Sequence, residues 1–231
     1  MTEDVVAAVA EVYARHARPW LVGLVAFGSY VRGDIVPGSS DLDLRLYLAP
    51  EAFDGDHLPW PLVRAIHADL AAVDAVPFAY VQCHATRADA AEPLVPGTWR
   101  LLEGTCPAPE ATADDVRAGA ARTLERVRRA RPRACETLLD SGGGRLEREV
   151  RLLATDVWPA LYATLVTTAD DPLPVWTLPK RDAIERLTEP AGSRARAFHD
   201  ALTAYHAGGA TPAGALRAID AGLAFLTEVT T

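Results

Sequence analysis

The chain predicts an α+β protein in two parts: a small mixed β-sheet with flanking helices over residues 1–108, then an all-α helical bundle over 109–231. Three observations carry this. Leu42, Leu44, Leu46 and Leu48 alternate with Asp41, Asp43, Arg45 and Tyr47, which is the period of a strand with one face in a core. After Thr105-Cys106-Pro107-Ala108-Pro109-Glu110, strand-like runs give way to Ala, Arg, Leu and Glu. Beyond that point apolar residues recur at helical spacing, with Val150, Leu153, Val157, Leu161 and Leu165 the clearest set.

Residues 5–15 carry apolar side chains at helical spacing and read as an opening helix. Residues 21–27 form a short apolar run closed by Gly28, a buried strand ending in a turn. A one-turn helix follows at 30–33, and Pro37-Gly38-Ser39-Ser40 loops the chain back to the second strand at 41–48. Residues 60–73 make an amphipathic helix with Leu62, Val63, Ile66, Leu70 and Val73 on one side, and 78–83 a third strand. In the second part, Thr112-Ala113-Asp114-Asp115 caps a helix that Pro132 interrupts near residue 131. A helix over 147–167 is expected to kink at Pro159. Helices at 182–187, 191–206 and 212–229 complete the bundle, and 141–145, Ser-Gly-Gly-Gly-Arg, reads as a flexible interhelical linker.

The most informative stretch joins Gly28-Ser29 to Asp41 and Asp43 with eleven residues between Ser29 and Asp41. Glycine lets backbone come close to a ligand, and Ser29 adds a hydroxyl beside free backbone N–H groups, an arrangement suited to phosphate. On a strand, Asp41 and Asp43 point the same way. Two carboxylates on one face repel each other unless a cation sits between them. Mg²⁺ is the natural occupant, because it is usually held by one or two carboxylates together with substrate phosphates. Arg32 and Arg45 lie within the same stretch as phosphate candidates. The basic run Arg126, Arg128, Arg129, Arg131 and Arg133 reads instead as a solvated helix end complementing the helix dipole.

Phe27-Gly28-Ser29 and Asp41-Leu42-Asp43-Leu44 resemble the signature of the nucleotidyltransferase superfamily built on the polymerase-beta-like palm. The segment Trp158-Pro159-Ala160-Leu161-Tyr162, with Thr177-Leu178-Pro179-Lys180-Arg181-Asp182 and Ala204-Tyr205-His206, is similar to the C-terminal domain of the aminoglycoside adenylyltransferases that modify streptomycin and spectinomycin. The resemblance implies a palm followed by a helical domain. It also implies transfer of AMP from ATP, as co-substrate, to a hydroxyl of a small cationic acceptor, with two Mg²⁺ ions. Asp41 and Asp43 would be the catalytic metal ligands, with Gly28, Ser29, Arg32 and Lys180 binding the nucleotide. The family also places a carboxylate on the third palm strand as general base, and the aligned position here is Phe78. Asp74, His84, Asp89 and Glu92 are the nearby candidates for that role. A rival reading is a catalytically reduced nucleotide-binding or antitoxin-like interaction module.

A net charge of −8 and a pI of about 5.2 argue against nucleic acid as the main partner. Cys83, Cys106 and Cys135 are odd in number and widely spaced, so neither a disulfide framework nor a zinc site is expected. No apolar run approaches membrane-spanning length, and the N-terminus carries acids where a secretory signal would carry bases. The partners that the resemblance implies are a nucleoside triphosphate and a small acceptor, and the composition leads to the expectation of a cytoplasmic protein away from membranes.

Overall fold

The computed structural model describes residues 2–139, 142 and 144–230, with the side chains of 131–135 and 137 outside the description. It is an α+β structure with one mixed four-stranded sheet and eight α-helices among the described residues. The chain divides into two compact units, Met1–Ala111 and Thr112–Thr231.

In the first unit, α1 (Thr2–Ala17), β1 (Leu21–Phe27), the single turn α2 (Ser29–Arg32), β2 (Leu42–Leu48), α3 (Trp60–Leu70), β3 (Val81–Arg87) and β4 (Trp99–Gly104) follow in order. The sheet order is β3-β2-β1-β4, with β1 antiparallel to both β2 and β4, and β2 parallel to β3. Leu42, Leu44, Leu46 and Leu48 are all buried and pack with Leu24 and Ala26 of β1, with Val6, Val9, Tyr13 and Ala17 of α1, and with Ile66 of α3. Burying one such leucine contributes roughly 2 kcal/mol, so the even-numbered face of β2 anchors the unit. Asp69 on α3 ties the helices together, accepting from Arg15 at 2.7 Å and lying 2.7 Å from His16 Nε2. Within the expected apolar stripe of α3, Val63 is exposed and Ile66 takes the core position.

Three expectations change here. The third strand runs Val81–Arg87, three residues later than 78–83. Phe78 is not in it: its backbone N–H donates to Ala75 O, and its ring is buried edge-on against Tyr30. The fourth strand, β4, has no counterpart in the sequence reading; it forms because β1 offers it a full antiparallel partner. The odd-numbered face of β2 is not open along its length either, since Tyr47 and Val25 are fully buried. Burial raises the Tyr47 hydroxyl above its ordinary value.

The second unit contains α4 (Ala113–Thr137), α5 (Arg145–Thr168), α6 (Lys180–Arg186), α7 (Ala191–Ala207) and α8 (Pro212–Thr230). A capping box opens α4: Thr112 Oγ1 accepts from Asp115 N at 3.2 Å, while an Asp115 carboxylate oxygen accepts from Thr112 N at 2.9 Å. The helix does not stop near residue 131. One lost backbone donor at Pro132 is outweighed by strong helix formers on either side. Likewise α5 continues through Pro159, with Val150, Leu153, Val157, Leu161 and Leu165 all buried. Gly222 of α8 lies so close to Leu153 and Phe198 that a methyl group there would press on both, which fixes α8 against α5 and α7. Arg126 pairs with Asp156, and Arg129 with Glu125 at 2.7 Å, so these members of the basic run serve the helices themselves. Arg131 and Arg133, Cys135, and Ser141 and Gly143 of the expected linker lie outside the described residues or side chains. Among the described residues no helix is long and apolar enough to cross a membrane.

Candidate functional site

The candidate site lies where β1 ends and β2 begins. Gly28 follows β1 with φ 73° and ψ −147°, a conformation that side chains resist, and a Cβ there would collide with Asp43 Oδ2. The glycine therefore does two jobs. It turns the chain into α2 and leaves room for the Asp43 carboxylate directly beneath the turn. In the antiparallel register Phe27 stands opposite Asp43. Gly33 closes α2 in the left-handed region, φ 72°. Ser29 is 5% exposed, and its Oγ has no hydrogen-bond partner among the described residues. A buried hydroxyl left in that state costs about 1–3 kcal/mol, which a polar ligand at the turn would offset.

Asp41 is placed by a laced pair of loops. Ser40 Oγ accepts from Val36 N at 2.9 Å, Gly38 N donates to Pro77 O, Ala79 N donates to Ser40 O, and Leu42 N donates to Tyr80 O. These bonds hold the segment before β3 beside the segment before β2. Tyr80 Oη consequently donates to Asp41 Oδ2 at 2.9 Å. Asp41 and Asp43 are both half-buried, on the same side of β2.

All the groups at this corner offer oxygen, the donor Mg²⁺ prefers. Among the described residues no three His, Cys, Asp or Glu side chains converge as a metal cage. The donor set thus fits a cation that takes two carboxylates from the chain and its remaining ligands from phosphate and water.

The remaining candidates fall differently. Arg32 Nε lies 3.6 Å from Asp34 Oδ2, with both side chains mostly buried, so much of its charge is answered locally. The Arg45 guanidinium lies 5.7 Å from the Phe27 ring centroid, and its buried Nε lacks a hydrogen-bond partner among the described residues. Lys180 is the first residue of α6 in the second unit. It is 6% exposed rather than solvated, and its Nζ lies 5.6 Å from the Trp158 ring centroid.

For a third carboxylate, the register is decisive. Asp43 is paired with Gln82 across the parallel β2/β3 ladder, and Arg45 with His84. The position beside Asp43 is therefore Gln82 and not Phe78. Asp74 accepts from Val76 N at 3.1 Å in an exposed turn. Asp89 lies past the far end of β3, forked onto Arg87 at 2.8 and 3.1 Å, and that guanidinium holds its carboxyl below the usual range. Glu92 follows it in sequence and is exposed. Only His84 shares the strand face of Gln82. Tyr80 and Gln82 were missed from sequence because the expected alignment set Phe78 beside the carboxylates, and only the ladder register places Gln82 opposite Asp43.

Neither a protein-family model nor a curated protein matches the chain.

Proposed function

We propose that the chain is a Mg²⁺-dependent nucleotidyltransferase that moves a nucleoside monophosphate, AMP from ATP, to a hydroxyl of a small cationic acceptor such as an aminoglycoside. The observation that carries the reading is the contact of the Gly28 turn with Asp43, beside a buried hydroxyl without a partner and a second carboxylate two residues away. Such a corner favours a triphosphate whose charge is shared with a cation. When bound, Mg²⁺ would polarise the α-phosphate and neutralise the leaving pyrophosphate. The chain's own part is positional. Asp41 and Asp43 would supply fixed anionic oxygens, Gly28 would admit the phosphate close to backbone, and Ser29 would donate to it. Arg32 is a weaker member of this set because of Asp34. Lys180 is assigned to the nucleotide by family resemblance alone.

A second reading, a nucleotide-binding or antitoxin-like module without transfer, is favoured by the lack of a carboxylate opposite Asp43. Calorimetry with MgATP, followed by labelled ATP with a panel of aminoglycosides, separates the two. Acceptor-dependent pyrophosphate release that disappears in Asp41→Asn supports transfer. MgATP binding with no turnover across the panel supports the second reading, and no MgATP binding at all defeats both.

A further inference from the structure

Along β3, the side facing Asp41 and Asp43 carries a continuous polar series. Tyr80 Oη lies 2.9 Å from Asp41 Oδ2 and 3.3 Å from Gln82 Oε1, and Gln82 Nε2 lies 2.9 Å from His84 Nε2. Tyr80 has one proton, and in this amide orientation it meets two acceptors. An amide's orientation is decided by the network it joins. Turned by half a revolution, Gln82 donates to Tyr80 Oη, Tyr80 donates to Asp41, and Gln82 Oε1 accepts from His84 Nε2–H. Every link then has one donor and one acceptor. The direction is set by Asp41, which as a carboxylate can only accept. His84 is thereby held with its proton on Nε2. Its Nδ1 has no hydrogen-bond partner among the described residues. The imidazole is exposed on an edge strand, with Arg45 beside it on β2.

We infer that this series takes the place of the carboxylate absent from β3, with His84 Nδ1 accepting the proton of the acceptor hydroxyl and Tyr80 and Gln82 fixing its tautomer. The inference rests on the transfer reading above. His84 lies two residues, roughly 7 Å, along the strand from the position beside Asp43. In the step, the acceptor oxygen bonds to the α-phosphorus while the bond to the bridging oxygen breaks. That electron pair leaves with pyrophosphate, and the hydroxyl proton passes to Nδ1. Histidine suits the task because its neutral form is available near neutral pH.

Nitrogen-15 NMR of the full chain, labelled at histidine and recorded where the imidazoles are neutral, reads the tautomer without reference to activity. The expected result is an Nε2–H form at His84 that loses its preference in Gln82→Leu and Tyr80→Phe, with the other histidines unmoved. An Nδ1–H form in the unaltered chain overturns the inference whatever the protein's activity. In a second arm, His84→Ala should bind MgATP as the unaltered chain does, with kcat lowered roughly 10²- to 10³-fold and partly restored by free imidazole. An undiminished kcat in His84→Ala overturns the base role. Failure of the unaltered chain to bind MgATP overturns the transfer reading and the base role with it, while the tautomer measurement still decides whether the hydrogen-bonded series exists.

Discussion

The two faces of β2 share one backbone and have opposite designs. Leu42, Leu44, Leu46 and Leu48 on one side are closed by α1 and α3 into a mainly apolar core shared with Leu24 and Ala26 of β1. On the other, Asp41 and Asp43 stay half-buried beside a glycine turn and Arg45 leans on Phe27, until Tyr47 closes the face again. The first face is stabilised by what it excludes. The second holds like charges and a hydroxyl without a partner at some cost in stability, the pattern expected of a site that is completed by a ligand.

Leu44→Asp should break the distinction most severely. It puts an unpaired charge at a fully buried position and is expected to cost about 4 kcal/mol or more, so that thermal melting followed by circular dichroism loses the strand signal of the first unit. Gly28→Ala attacks the boundary between the faces. Backbone strain and the collision with Asp43 together should cost about 2–4 kcal/mol in a denaturant titration, and calorimetry should find MgATP binding abolished. Asp43→Asn separates stability from function: melting should be unchanged or slightly raised, because a like-charge repulsion is relieved. MgATP should bind about 100-fold more weakly, a loss of about 2.7 kcal/mol. A large fall in melting temperature would mean that this face is structural after all. Tyr80→Phe removes the hydroxyl that bonds Asp41 and meets Gln82 and should lower stability by about 1 kcal/mol, read from the denaturant midpoint.

The smallest effect concerns the helices behind the leucine face. His16, and Arg15 with it, hold the Asp69 carboxyl below its usual range. A carboxyl depressed in the folded state adds stability above its unfolded value and loses it as pH falls through the folded one. Asp69→Asn should therefore be slightly less stable near neutral pH, with the two stability curves converging as acid protonates Asp69, so that the acid limb of the variant is the shallower. An identical limb in the two proteins would show that the pair contributes nothing there.

How far the sequence could be read depended on how local each cause was. The bounds of β1 and β2 followed from apolar runs and strict alternation, and the second unit's core positions from helical spacing. Pro77-Phe78-Ala79-Tyr80 has the texture of a strand, yet its backbone is tied by Phe78 N to Ala75 O and by Ala79 N to Ser40 O before the ladder begins. That shift hid which residue of the strand stands opposite Asp43. Trp99-Arg100-Leu101-Leu102-Glu103-Gly104 has no regular alternation of its own, and becomes a strand because the edge of β1 accepts it.

Sequence by itself determined the α+β class, the Gly-Ser turn and the two carboxylates, because each rests on residue type at short spacing, where backbone geometry leaves little freedom. Only the tertiary structure decided that Gln82 stands beside Asp43, that Tyr80 reaches Asp41, and that Phe78 belongs to the core. Those facts depend on the register between strands 39 residues apart in the chain, which is set by the packing of both faces at once and is written in no single segment.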